Sequence, residues 1–86
     1  MTQRSASEIE NWLAVHVAQE LGARPEQISL DEEFVNLGLS SRQAVLLMLD
    51  METWLGQPTD AGLVYDYPTI RSLAQFLTGH RGAATA

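Results

Sequence analysis

The chain has 86 residues, with 11 acidic side chains against 5 basic ones, a formal charge of −6 at neutral pH. That length fits one domain with one modest core and leaves little room for an enclosed catalytic cleft. The basic residues are all arginine, and neither lysine nor cysteine occurs, which excludes a Walker-type phosphate loop, a lysine Schiff base, disulfides, thiolate catalysis and cysteine-ligated zinc.

An acidic balance argues against nucleic acid, whose phosphates need a basic face, and favours a basic or neutral protein surface. The longest apolar run, Ala44 to Leu49, is far short of the roughly 20 residues of a membrane span. The N-terminus carries no signal-peptide pattern. The expectation is a cytoplasmic protein that is monomeric as an isolated domain, with no nucleic-acid or membrane partner.

Helical spacing dominates, and no period-two strand is evident. A first helix is expected from near Ser7, whose spacing to Glu10 fits a capping box. Its stripe is Ile9, Trp12, Leu13, His16, Val17 and Leu21, and Gly22 is placed to end it. From Ala23 to Leu39 no helical period is sustained. Pro25, the acidic Asp31-Glu32-Glu33 turn and the apolar anchors Ile28, Leu30, Phe34, Leu37 and Leu39 suggest a long loop pinned to the core, a length more often functional than accidental.

A second helix is expected over Ser41 to Leu55, with Ser40 as N-cap, Gln43 completing a Ser-x-x-Gln box and Gly56 as the stop. Val45, Leu47, Met48, Met51 and Leu55 supply its buried side. Arg42, Leu46, Leu49 and Thr53 then form a second, outward face. A short helical turn is expected over Ala61 to Tyr65. The last helix begins at Thr69, turns Ile70, Leu73, Ala74 and Leu77 inward and stops at Gly79. The organisation is thus a flexible N-terminus (1–6), a domain (7–79) and a linker or disordered tail (80–86).

Enzymatic chemistry finds little support. His16 lies on the apolar stripe, where a packed, hydrogen-bonded role is expected, and His80 lies in the tail; neither has a partner at metal-ligand spacing. Asp31-Glu32-Glu33 reads as a solvated acidic turn, and no Gly-x-Ser-x-Gly elbow occurs. No catalytic or metal site is assigned. Trp12 and Trp54 are read as structural, with a lid over a bound chain the sharper alternative for Trp54. Ser41 stands out locally. It occupies the first turn of a helix, beside unpaired N–H groups and the positive dipole end, where an anion is favoured by about 0.3–1 kcal/mol. Gly38 allows a tight entry. Two cap serines would look the same on spacing alone.

Read together, Phe34-Val35-Asn36-Leu37-Gly38-Leu39-Ser40-Ser41 resembles the segment around the modified serine of acyl carrier protein domains, which usually show Leu-Gly-x-Asp-Ser. Leu63-Val64-Tyr65-Asp66-Tyr67-Pro68-Thr69-Ile70 is similar to the approach to the last helix in carrier domains of modular polyketide synthases. The resemblance covers about residues 7 to 78. It implies an all-α, four-helix bundle: three main helices, one short one, and a long loop between the first two.

The resemblance also implies a non-enzymatic carrier that holds acyl or polyketide intermediates as thioesters on 4′-phosphopantetheine attached to Ser41. Gly38, Leu39 and Ser40 then form the attachment motif and helix cap. Arg42, Leu46 and Leu49 are candidates for partner recognition, with Val64 and Tyr65 beside the arm. The implied partners are a phosphopantetheinyl transferase, an acyl-loading enzyme (an acyltransferase or acyl-adenylate ligase) and a ketosynthase or other synthase domain. Ser40 replaces the usual aspartate, keeping the cap and losing a charge. Ser40-Ser41-Arg42 is similar to carriers loaded by fatty acyl-adenylate ligases. A peptidyl or aryl carrier of a nonribosomal peptide synthetase, or an unmodified helical docking module, remains the alternative.

Overall fold

The computed structural model describes residues 4–60 and 62–80. Five α-helical segments follow one another: α1 (Ala6–Leu21), α2 (Phe34–Leu37), α3 (Ser41–Leu55), α4 (Leu63–Asp66) and α5 (Ile70–Gln75). A 3-10 turn at Pro25–Gln27 breaks the first loop, and α5 widens into a π turn over Phe76–His80. Among the described residues there is no strand, only an isolated antiparallel bridge between Glu33 and Thr69.

α1 starts two residues earlier than its sequence suggests. Ser5, not Ser7, is the N-cap: its hydroxyl accepts from Glu8 N–H at 3.1 Å, while the Glu8 carboxylate accepts from Ser5 N–H at 2.9 Å. Two overlapping Ser-x-x-Glu frames exist, and the earlier one adds two residues, about half a turn, and sets Glu8 at the positive end of the dipole. Arg4, Ser5 and Ala6, expected in a flexible N-terminus, therefore belong to the folded unit. Gly22 ends the helix at φ +70°, a left-handed conformation that side chains rarely adopt.

Ile9, Leu13 and Val17 are fully buried, as their spacing predicts. They meet Ile70, Leu73, Ala74 and Leu77 of the last helix, and Leu47, Met48, Met51 and Leu55 of α3, in one core. On α3 one assignment is reversed. Ala44 is buried at 7% exposure and Val45 is turned outward at 36%. The small Ala44 lines the cleft beside the start of α3, a placement that a hydrophobicity count underweights.

The loop from 23 to 39 is pinned as expected, with Ile28, Phe34 and Leu39 buried. It also holds α2, a turn not foreseen because four residues show no period. Backbone bonds fasten it to the end of the chain: Phe34 N–H donates to the Pro68 carbonyl (2.8 Å), and Arg71 N–H to that of Leu30 (3.0 Å). Arg71 grips Asp31 through Nε and Nη2 at 2.6 and 3.3 Å and lies 3.9 Å from Glu10. This pairing holds the Asp31 carboxyl below its usual range and raises the Arg71 guanidinium.

The short helix before Pro68 runs over Leu63–Asp66 rather than from Ala61, which lies outside the described residues. Thr69 caps α5 as expected, its hydroxyl accepting from Ser72 N–H at 3.1 Å. Regular α geometry ends at Gln75, and the π turn carries the backbone past Gly79, the expected stop, to His80. The tail at 81–86 lies outside the described residues.

Candidate functional site

Ser40 and Gln43 close the capping box that opens α3. Ser40 Oγ accepts from Gln43 N–H at 3.1 Å, and Gln43 Oε1 accepts from Ser40 N–H at 2.9 Å. The Gln43 amide also donates to Glu20 Oε1 at 3.2 Å, fastening this cap to the end of α1. Gly38 makes the turn into the cap at φ +106°, and a Cβ there would touch Leu21 at 3.6 Å. Leu39 anchors the turn in the core at 6% exposure.

The two adjacent serines are thereby separated chemically. The Ser40 oxygen is committed to the backbone. Ser41 is exposed, and among the described residues its hydroxyl makes no hydrogen bond. It stands on the first turn of α3, which contains no acidic residue. Arg42 follows it, exposed and in no ion pair among the described residues.

Beside Ser41 lies a cleft of about 420 Å³. Its walls come from α2 (Phe34, Val35), the start of α3 (Ser41, Ala44) and α4 (Val64, Tyr65), with Glu33, Leu39, Ser40 and Pro68 completing it. The bonds between Phe34 and Pro68 and between Arg71 and Leu30 hold the two outer walls together. Val64 and Tyr65 were expected on a recognition surface, and they divide. Tyr65 is 68% exposed, whereas Val64 is buried at 5% and contributes only to the cleft wall. A free, exposed hydroxyl at the mouth of a largely apolar cleft suits a covalent arm with amide and methylene segments.

Leu46 and Leu49 are exposed at 47% and 50%, on the outward face of α3 with Arg42 and Thr53. Sequence reasoning missed Val35, the other exposed wall of the cleft at 70%. Its signal was an apolar residue beside buried Phe34 in a stretch without period.

The remaining candidates are structural. His16 Nδ1 donates to the Trp12 carbonyl at 2.9 Å and its ring stacks on Trp12 at 3.8 Å. Trp54 also stacks on Trp12, at 5.1 Å, and Arg4 lies 4.1 Å from the Trp54 ring. Thirteen residues of helix, roughly 20 Å, separate Trp54 from Ser41, and its ring is engaged with Trp12. In the acidic turn Asp31 holds Arg71, and Glu32 accepts from Asn36 at 2.9 Å. No group of three potential metal ligands converges among the described residues, and no helix there is long and apolar enough to cross a membrane.

These features, an all-helical bundle with a capped helix presenting a free serine, define a carrier domain. Residues 11–77 match the family model described as phosphopantetheine attachment site, and the chain belongs to that family. The family carries 4′-phosphopantetheine covalently and is non-catalytic.

Among curated relatives, a phenolphthiocerol/phthiocerol polyketide synthase from Mycobacterium tuberculosis is 32% identical over 71 residues. These are 83% of this chain and 4% of that protein, so the chain spans a small fraction of the synthases it matches. The acyl carrier protein TtuC of Teredinibacter turnerae is 29% identical over 73 residues, 85% of this chain and 84% of that one.

Of solved structures, an acyl carrier protein from Anabaena with a variant phosphopantetheinylation-site sequence superposes with a TM-score of 0.83 at 35% identity. It covers 93% of this chain and 91% of its own. A free-standing peptidyl carrier protein from Acinetobacter baumannii superposes at 0.82 with 30% identity, covering 90% and 96%.

Proposed function

We propose that Ser41 is the attachment residue and that the chain is a cytoplasmic acyl carrier of a polyketide or mixed pathway, its carrier unit being the expected 7–79 lengthened at its start by the α1 cap. The observation that carries this reading is the unbonded Ser41 hydroxyl next to a Ser40 oxygen already used by the helix cap. Transfer from coenzyme A forms the Oγ–P bond and breaks the phosphoanhydride. It releases 3′,5′-ADP and passes the hydroxyl proton to the transferase. The arm brings the thiol that this cysteine-free chain lacks, and tethering raises the effective concentration of the cargo at each partner.

Within this reading Gly38, Leu39 and Ser40 hold Ser41 in place. Tyr65, with Val64 behind it, borders the arm, and Arg42, Leu46 and Leu49 meet partner enzymes. A fatty acyl-adenylate ligase is the proposed loading enzyme, and a ketosynthase or other synthase domain takes the cargo onward. Similarity to an acyl carrier with a variant site sequence supports a working site without the usual aspartate. A peptidyl carrier is the second reading, favoured by the likeness to the Acinetobacter protein.

Intact-protein mass spectrometry after incubation with coenzyme A and a phosphopantetheinyl transferase tests the assignment. The wild type is expected to gain one phosphopantetheinyl group, and Ser41→Ala none. A gain on Ser41→Ala, or no gain on folded wild type or Ser40→Asp, overturns it. Loading of the arm by a fatty acyl-adenylate ligase, with no aminoacylation by adenylation domains, then separates the two readings.

A further inference from the structure

The cleft beside Ser41 carries a charge pattern that arm attachment does not use. Its walls are mostly apolar, and the one charged side chain lining it among the described residues is Glu33. Glu33 is exposed, makes no side-chain cap bond to α2, and has no ion-pair partner among the described residues. No arginine lines the cleft. The charged residues beside its outer walls, Glu32 and Asp66, are also acidic and exposed. Arg71, which fastens the same loop, is taken up by Asp31 and Glu10.

The opposite sign stands at Ser41. The first turn of α3 offers unpaired N–H groups, the positive dipole end and the unpaired Arg42. A phosphodiester on Ser41 is therefore well placed, whereas a second anion carried into the cleft meets Glu33. Screening at physiological salt acts over about 8 Å, comparable to the span of a cleft of this size. An entering carboxylate also loses water against apolar walls that return no cation. The same walls favour an uncharged alkyl group, whose burial takes apolar surface out of water.

Building on the carrier reading, we propose that Glu33 makes this cleft selective by charge. It seats uncharged acyl groups held on the arm and turns away those that end in a free carboxylate. The arm is tethered at the cleft mouth, so its acyl end samples the cleft at high effective concentration. A difference in local affinity then shows directly as a difference in occupancy.

The test uses a matched pair of cargoes, isobutyryl and methylmalonyl, in which a carboxylate replaces one methyl group. Each is placed on Ser41 by a phosphopantetheinyl transferase from its coenzyme A thioester, and intact mass confirms full loading. Amide NMR shifts of Val35, Ala44, Val64 and Tyr65 are then read against the form bearing a free-thiol arm. Wild type is compared with Glu33→Gln and with Glu26→Gln, which removes the same charge from an exposed position on the 3-10 turn, outside the cleft.

Isobutyryl is expected to move these four resonances, and methylmalonyl to move them roughly fivefold less. Glu33→Gln should narrow that gap to about twofold, and Glu26→Gln should leave it as in wild type. Equal shifts from the two cargoes in wild type overturn the proposal. So does a gap that survives Glu33→Gln, which makes desolvation alone the cause, or one that Glu26→Gln narrows equally, which reports net charge. Shifts from neither cargo show a cleft that holds no acyl group and overturn it as well. All of these leave the carrier reading standing, whereas a wild type that gains no arm removes both. Circular dichroism melts are expected to be unchanged by these exposed substitutions.

Discussion

At the scale of single residues, the difference between Ser40 and Ser41 is a difference in hydrogen bonding. Ser40 accepts from the backbone of Gln43, and the Gln43 side chain returns the bond. Removing the hydroxyl leaves that N–H unsatisfied at the helix end, so Ser40→Ala is expected to destabilise the fold by about 1 kcal/mol. Ser40→Asp keeps the acceptor and adds an anion at the positive end of the dipole, a gain of about 0.3–1 kcal/mol at low salt. Urea unfolding should therefore order the three proteins Asp, Ser, Ala from most to least stable, with the Asp–Ser gap closing as salt rises. If alanine matched serine, the cap would have no energetic role at this site.

At the scale of elements, the parts with a sustained period were legible and the connections were not. α3 runs over Ser41–Leu55 with Gly56 as its stop, as its apolar period, Ser-x-x-Gln box and glycine imply. Helix α2 was hidden because four residues cannot display a period, and its conformation is imposed by Phe34 entering the core and bonding Pro68. The same limit applies to the cleft, which three distant segments build together, and to the stacking of Trp54 on Trp12. Helical spacing shows which way a side chain faces, but not which neighbour it meets.

The Asp31–Arg71 pair is another such long-range contact, and it gives the loop a pH dependence. Arg71 lowers the Asp31 carboxyl relative to the unfolded chain. The stabilisation is thus complete above the unfolded value, about pH 4, and disappears as pH falls through the lowered value. Asp31→Asn is expected to melt below wild type at neutral pH, with the two curves converging under acid. Arg71→Gln should behave alike. A gap that persisted at the lowest pH would mean that the loss is one of packing and not of charge.

At the scale of the whole molecule, one core serves both the bundle and the site. Leu13 is fully buried among α1, α3 and α5 residues. Its replacement by alanine should cost about 2–5 kcal/mol through lost burial and the residual cavity. Against a total of roughly 5–15 kcal/mol for a small domain, that is a large fraction. The Ser41 site shares with that core Leu39, Ala44, Phe34 and Val64, which seat the turn, the first coil of α3 and two cleft walls. Leu13→Ala should therefore shift the urea midpoint strongly while the rate of arm attachment, measured well below that midpoint, stays near wild type. Phe34→Ala removes a buried side chain of similar energetic weight and part of the cleft wall, so it should lower both stability and attachment rate. Equal losses of attachment in the two variants, each corrected for its folded fraction, would show that the site responds to global stability rather than to its own walls.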